Sequence, residues 1–344
     1  RQENAMTLTL GLMGFGRVGR SIFRILQNRN DVRVAAISDI ADPVGLEYLV
    51  RYDTILGPNP VSTHYDDGFM YAMGRQIPML RGERPGEVAW KDYGVDIVIE
   101  ATGKARNAIE LKKHIEIGGA SRVVSCVPTP DDDVPQIAMG INDHALKPSM
   151  DIVSNASMTA HCAAPIAEAL DRAFGINRIF FTVIHAYSND QKLGDVPTGG
   201  QLRLSRAAAE NIVPIATNAG ANLERILPEL SGKVSALALK VPVDNGSAVD
   251  MVAFTEKEVS KDAVNHVIKS AIEQHYPRIA KFATDPIVSS DIRMSPHSSV
   301  FDSLATMTLG VHSVKTISWY DNGWGYAHRA IELATRLAEL GEQA

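Results

Sequence analysis

Cysteine is scarce in this chain. Cys126 and Cys162 are the only two among 344 residues, so at most one disulfide can form, and no C-x-x-C spacing offers a metal site. Such usage points to a reducing compartment, here taken as the cytoplasm. Long apolar runs are missing as well. None approaches the ~20 residues a membrane helix needs, and the first residues lack the apolar segment of a signal peptide, so no membrane association is expected. Positive charge is not in excess. The net charge of −6 gives no general attraction to a phosphate backbone, which argues against nucleic acid as a partner. Internal repeats, low-complexity tracts and a Pro-rich linker are also absent. What remains is ordinary globular material, 45% hydrophobic and 22% charged, in a length that suits two domains.

The first informative stretch joins an apolar run, Thr7 to Met13, to Gly14-Phe15-Gly16-Arg17-Val18-Gly19-Arg20, after which Ile22, Phe23, Ile25 and Leu26 recur at near-helical intervals. Strand, glycine turn and helix in that order give the G-x-G-x-x-G a physical meaning. Gly14 permits the sharp turn, Gly16 lets the backbone approach a pyrophosphate, and Gly19 lets helix and strand pack closely. Phe15, Arg17 and Val18 complete the turn that would hold the dinucleotide. A second apolar strand, Val32 to Ile37, ends at Asp39, about 20 residues beyond the last glycine. A carboxylate there hydrogen-bonds ribose hydroxyls and opposes a 2′-phosphate, which favours NAD over NADP.

Further strands are expected at Val95–Glu100 and Arg122–Cys126, with a helix at Ala108–Ile117 between them. This alternation predicts an α/β fold with a Rossmann-type, doubly wound parallel sheet. Pro165 either starts or kinks a helix that includes Ile166, Leu170 and Phe174. Strands follow at Ile179–Tyr187, Ser235–Val241, Ala248–Phe254 and Ser313–Trp319, with helices at Lys261–His275 and Ala327–Leu340. Asn189 to Gln201 reads as a polar loop. The second region is therefore α+β in character. Residues 6–157 are expected to form an NAD-binding domain and 158–322 a catalytic, substrate-binding domain. The segment 323–344 would carry a terminal helix that packs back on the first domain.

Several of these stretches together resemble the phosphorylating glyceraldehyde-3-phosphate dehydrogenase family. The likeness rests on Gly14 to Arg20, Tyr52-Asp53-Thr54, the Ser154 to Cys162 stretch, His185-Ala186-Tyr187 with Gln191-Lys192, and Trp319 to Tyr326. In that family a thiolate attacks an aldehyde, a histidine manages the proton, hydride passes to NAD, and phosphate cleaves the resulting thioester. The resemblance implies that His185 is the histidine and that Asn322 orients the nicotinamide carboxamide. It places Ser125 near the cofactor, and Ser157, Thr159, Ser188, Thr217, Asn218 and Lys240 around two anion sites. A phosphorylated small-molecule substrate, an NAD cofactor and a homotetramer are implied likewise. Without the resemblance, His185 would read as a hydrogen-bonded core histidine and Asn322 as an ordinary turn residue.

The resemblance fails at one decisive letter. Where the family peptide reads Ser-Asn-Ala-Ser-Cys-Thr-Thr-Asn-Cys, Met158 occupies the place of the nucleophilic cysteine. A methionine thioether is neutral and already alkylated, so it forms no stable hemithioacetal. Ala160 and His161 replace the family's second threonine and asparagine, and Lys240 replaces an arginine, keeping the charge but losing the planar fork. Gly323, Met13 and Asn218 also depart from the family pattern, whereas Cys162 matches its second, non-nucleophilic cysteine. Two readings stay open on this basis. One is an NAD-dependent oxidoreductase for a phosphorylated aldehyde or sugar that works without a thioester. The other is a catalytically inactive NAD-binding protein used for sensing or assembly.

Overall fold

In the computed structural model, residues 7–342 are described. Residue 6, where the first domain is expected to begin, and residues 343–344 of the terminal segment lie outside that range. The chain divides into two units. One gathers residues 7–139, 143–156 and 327–342, the other residues 140–142 and 157–326.

In the first unit, β1 (Leu8–Met13) leads through the glycine turn into α1 (Arg17–Leu26), followed by β2 (Val32–Ser38) and α2 (Pro43–Arg51). A short ribbon, β3 (Tyr52–Asp53) with β4 (Gly57–Pro58), precedes a meander of β5 (Thr63–Asp66), β6 (Phe69–Ala72) and β7 (Arg75–Leu80). Then come β8 (Ile97–Glu100), α3 (Ala108–Glu116), β9 (Arg122–Ser125) and β10 (Ile152–Ser154). The sheet order is β10-β9-β8-β1-β2-β7-β6-β5. Pairing is parallel from β10 across to β7. Every residue of β1 and β8 is buried, as expected of parallel strands covered on both faces. The architecture is the Rossmann-type doubly wound sheet, and its winding reverses between β1 and β8, where ligands of such sheets bind.

The antiparallel meander at the β5 edge goes beyond the purely parallel sheet expected from the sequence. Each of its hairpins turns on two residues with positive φ, Asp67 and Gly68 (φ 43° and 84°) and Met73 and Gly74 (φ 54° and 69°). Such two-residue turns match the twist of the flanking strands. The Asp-Gly pair was the readable signal; methionine disguises the second turn.

The second unit contains α4 (Met158–Phe174), β11 (Ile176–Ala186), β12 (Val213–Ile215), α5 (Ala219–Ile226), β13 (Val234–Val241) and β14 (Ser247–Thr255). It continues with α6 (Lys261–His275), β15 (Ala280–Ala283), β16 (Ser299–Thr308) and β17 (Ser313–Tyr320). Its sheet runs β12-β13-β11-β14-β17-β16-β15. Two of its pairings are parallel, β11 with β13 and β15 with β16, and the others antiparallel. Pro165 does not start α4. It lies inside the helix, which begins at Met158 because the Ser157 Oγ accepts a bond from the Ala160 N–H at 3.1 Å, a standard N-cap. The last helix, α7, covers Trp324–Glu342.

Candidate active site

In the first unit, the register pairs Met13 of β1 with Glu100 of β8, so the loops leaving both strands lie side by side. Gly14 holds φ +93°, and a β-carbon there would come within 2.7 Å of the Thr102 nitrogen and 2.8 Å of the Ala101 carbonyl carbon. At Gly19 it would meet the Gly14 oxygen at 2.3 Å. Both positions exclude a side chain on steric grounds. Gly16 differs, because a β-carbon there meets nothing within 4 Å. It is the exposed N-cap of α1 and makes no side-chain capping bond. The first N–H groups of α1, those of Arg17 and Val18 among them, have no partner within a helix by geometry, and the space beside Gly16 suits a diphosphate there. Phe15 is spent otherwise. Its ring is buried edge-on against Phe23 and its N–H donates to Asp39 Oδ2 at 2.6 Å.

Asp39 also accepts from the Ala41 N–H at 2.9 Å through Oδ1. It borders a cavity of about 230 Å³ shared with Gly14, Gly16, Thr102 and Lys104. The Thr102 turn is held from beneath: Glu100, 1% exposed, accepts from the Thr102 N–H at 2.8 Å and bonds His114 Nε2 at 3.0 Å. Because Trp90 Nε1–H donates to His114 Nδ1 at 3.0 Å, the histidine proton resides on Nε2 and points to Glu100. Ser125 is buried at the end of β9, and its hydroxyl reaches the Val127 carbonyl at 3.5 Å.

We expect Asp39→Asn to lower the preference for NAD over NADP by about tenfold, since the charge that opposes a 2′-phosphate is removed. Calorimetric titration with both cofactors checks this. An unchanged ratio would place the discrimination elsewhere.

In the second unit, one end of the central strands collects the chemistry. β11 and β13 both end there, with His185 paired to Lys240, and Ser247 at the start of β14 pairs with Tyr320 at the end of β17. His185 is half-buried, with its ring 6.5 Å from that of Tyr320. Its Nδ1 lies 2.5 Å from the Ala186 carbonyl oxygen. A carbonyl can only accept, so Nδ1 carries the proton and the lone pair of the neutral ring is on Nε2, the tautomer needed for a base. Tyr320 is buried, and its hydroxyl bonds Thr159 Oγ1 at 3.0 Å. Burial above all pushes this phenol well above its ordinary range, so it stays protonated.

Asn322 is 2% exposed, and its carbonyl oxygen accepts from the Gly246 N–H at 3.1 Å and the Ser247 hydroxyl at 3.0 Å. These two donors fix which end of the amide faces them. The other end, Nδ2, is buried and has no hydrogen-bond partner. An unpaired buried donor costs roughly 1–3 kcal/mol, so this nitrogen suits a ligand carbonyl. The turn around it is braced by Asp321, whose carboxylate accepts from Asn245 Nδ2 at 2.6 Å and from the backbone N–H groups of Gly323 and Met294 at 2.7 and 3.0 Å.

Lys240 and Ser188 come together, but not as an open anion site. The Lys240 ammonium donates to Ser188 Oγ at 2.7 Å and to both Asp190 oxygens at 2.5 and 2.6 Å. The Ser188 hydroxyl in turn donates to Asp190 Oδ1 at 2.7 Å. Partial burial by itself would raise the Asp190 carboxyl, but the bonds from Lys240 and Ser188 outweigh it and hold the group below the usual carboxylate range. The pair is therefore intact at neutral pH and is lost only as pH falls through that lowered value.

Met158 is half-buried at the first position of α4, beside the Ser157 cap. Cys162, one turn on, is fully buried, and its thiol lies 3.8 Å from both Ser299 Oγ and the Trp319 carbonyl. Burial pushes this thiol up to about 12, so it is no substitute nucleophile. Thr217 and Asn218 serve α5: Thr217 Oγ1 accepts from the Ala219 N–H at 3.2 Å and Asn218 is the N-cap. Neither is hydrogen-bonded to the Ser188–Lys240 group. The sequence singled out neither Asp190, Ser247 nor Asn245, and it held Tyr320 and Asp321 only as part of the Trp319 to Tyr326 stretch, with no role of their own. The first lies in a polar loop without periodicity, and the others gain meaning only from strand ends and turns that meet at one end of the sheet.

Among the described residues there is no His, Cys, Asp and Glu group able to hold a metal ion and no helix long and apolar enough to cross a membrane. Two family models match the chain: glyceraldehyde 3-phosphate dehydrogenase, NAD binding domain, over residues 8–108, and glyceraldehyde 3-phosphate dehydrogenase, C-terminal domain, over residues 157–322. The chain is similar to glyceraldehyde-3-phosphate dehydrogenase 2 of Streptomyces avermitilis, at 41% identity over 95% of this chain and 98% of the relative. It is similar to glyceraldehyde-3-phosphate dehydrogenase of Geobacillus stearothermophilus, at 39% identity over 98% and 100%. The corresponding protein of Mycobacterium tuberculosis is 41% identical over 96% and 98%.

Proposed function

Since the chain belongs to the glyceraldehyde-3-phosphate dehydrogenase family and has NAD as its cofactor, we propose that it is an oxidoreductase that oxidises an aldehyde without forming a thioester. Met158 stands at the place of the family's nucleophile and supplies none. The route that needs none begins from the hydrated aldehyde, a geminal diol. His185 takes the proton of one hydroxyl on Nε2 as the C–H bond breaks, and the carbon leaves as a carboxylic acid. NAD, when bound, accepts the hydride. Atoms and electrons balance: diol and oxidised cofactor give acid, reduced cofactor and a proton.

The observation that carries this reading is Asn322. Its amide is held by Gly246 and Ser247 with Nδ2 buried and unpartnered, a donor for the nicotinamide carboxamide. A ligand carbonyl at this point would recover the free energy that the unpaired donor costs. In the first unit Gly16 and the α1 N-terminus would hold the pyrophosphate and Asp39 the ribose. Thr159 holds the Tyr320 hydroxyl, and Ser157 keeps the start of α4 ordered. Family membership further supports a phosphorylated aldehyde or sugar as substrate and a cytoplasmic homotetramer.

The test is the purified chain with NAD and a panel of phosphorylated and unphosphorylated aldehydes. Reduced-cofactor absorbance is expected with at least one member. Saturable NAD binding with no reduction across the panel would overturn catalysis in favour of a sensing or assembly role.

A further inference from the structure

Glu100 has no part in the proposed oxidation, yet it lies fully buried at the end of β8. A carboxylate taken out of water needs hydrogen bonds on both oxygens, and this one has them. Its Oε1 accepts from the Thr102 N–H at 2.8 Å and from the Thr102 hydroxyl. Its Oε2 accepts from His114 Nε2 at 3.0 Å, and His114 Nδ1 in turn accepts from Trp90 Nε1 at 3.0 Å. Donors thus run one way, from Trp90 through His114 to Glu100, and the same carboxylate collects both donors of Thr102. The Thr102 hydroxyl is left to accept from the Lys104 N–H at 3.1 Å. Thr102 and Lys104 border the Asp39 cavity, and a β-carbon at Gly14 would come within 2.7 Å of the Thr102 nitrogen. One carboxylate therefore fixes the turn that faces the glycine turn.

We propose that Glu100 is a positioning residue for NAD: it locks the Thr102 turn beside the Gly14 turn, and the Trp90–His114 chain holds its carboxylate in the orientation that does so. The proposal needs NAD to bind but is independent of which aldehyde is oxidised, or by what route. Glutamine at position 100 separates charge from shape. Its carbonyl oxygen still accepts from Thr102, but its N–H groups then face the Nε2–H of His114. Moving that proton to Nδ1 only transfers the conflict to the Trp90 N–H, so two donors oppose each other in either tautomer. Trp90 and His114 are sealed in the core whereas residues 101–104 are half-buried or exposed, so the displacement falls on the turn. Glutamine at position 114 behaves differently. Its carbonyl accepts from Trp90 and its N–H donates to Glu100, so both bonds of the chain survive.

The experiment is calorimetric titration of NAD into the full-length parent, Glu100→Gln, His114→Leu and His114→Gln, with thermal melts to confirm that each is folded. Aldehyde turnover is assayed separately, so a failure of the oxidation reading is seen apart from a failure here. Glu100→Gln and His114→Leu are each expected to weaken NAD binding about tenfold, the worth of one charge-assisted hydrogen bond. His114→Gln should stay within about twofold of the parent, a rescue by shape that simple loss of core packing would not give. A second readout uses chains labelled with 5-fluorotryptophan. The sequence holds three tryptophans, and Trp90→Phe assigns the relevant fluorine resonance. NAD should shift that resonance in the parent and in His114→Gln but not in Glu100→Gln, where the chain is interrupted. Should Glu100→Gln fail to fold, the contrast between the two His114 variants and the response of the parent resonance decide the matter. Equal NAD affinity in the parent and Glu100→Gln, equal losses in both His114 variants, or a Trp90 resonance indifferent to NAD in the parent would overturn the proposal.

Discussion

A Met158→Cys chain is expected to be alkylated rapidly by iodoacetamide at neutral pH, and to become acylated when given NAD and an aldehyde, whereas the parent does neither. The expectation follows from where residue 158 sits. It is the first residue of a seventeen-residue helix and is half-buried rather than sealed. The unpaired N–H groups and dipole of a helix start favour an anion there, which lowers a thiol into the range where it ionises. The parent's two thiols have the opposite setting. Cys162 is pushed up to about 12 by burial, which keeps it protonated at neutral pH. Burial, then the charge of Glu100, raises Cys126 as well. Losing a nucleophile can cost on the order of a million-fold in turnover, so restoring one should increase aldehyde oxidation by at least about a thousandfold if the neighbouring groups are in place. Intact-mass measurement reads the acyl adduct. Alkylation at position 158 without acylation would mean that the proton-handling groups no longer serve that position.

Replacing His185 by Gln should reduce the parent's kcat/KM for aldehyde oxidation by about 10²- to 10⁴-fold, the usual range for a general base, while NAD affinity stays unchanged. The Nδ1 bond to the Ala186 carbonyl fixes the tautomer that leaves the basic lone pair on Nε2. Glutamine can keep a hydrogen bond but cannot accept a proton near neutral pH. Calorimetry with NAD beside steady-state kinetics separates the two effects. A fall in cofactor affinity with kcat preserved would reassign His185 to a structural role.

Much of the first unit could be read in the sequence because each signal was local. Gly14 and Gly19 are required by backbone closeness within the turn itself, and β1 and β8 are short, mostly apolar runs buried at every residue. The helix at Lys261–His275 was legible for the same reason: a capping serine, Ser260, and buried Val264, Ile268 and Ile272 at helical spacing. Longer-range features were not legible. Pro165 read as a possible helix start, yet the Ser157 cap eight residues earlier overrides it. The charge of Lys240 is visible in the sequence, but its availability depends on Asp190, fifty residues away, in a loop with no pattern. The same holds for Asn322, whose orientation is set by Gly246 and Ser247 from another strand. Local rules recover elements and turns; which donors remain unspent is decided by tertiary contacts.

The central claim, oxidation without a covalent intermediate, is tested most directly by following the mass of the intact parent chain while it turns over an aldehyde with NAD. Reduced cofactor and carboxylic acid should accumulate together while the chain keeps its unmodified mass throughout. An acyl adduct on any residue of the parent, or NAD binding with no acid formed from any aldehyde, would contradict the account.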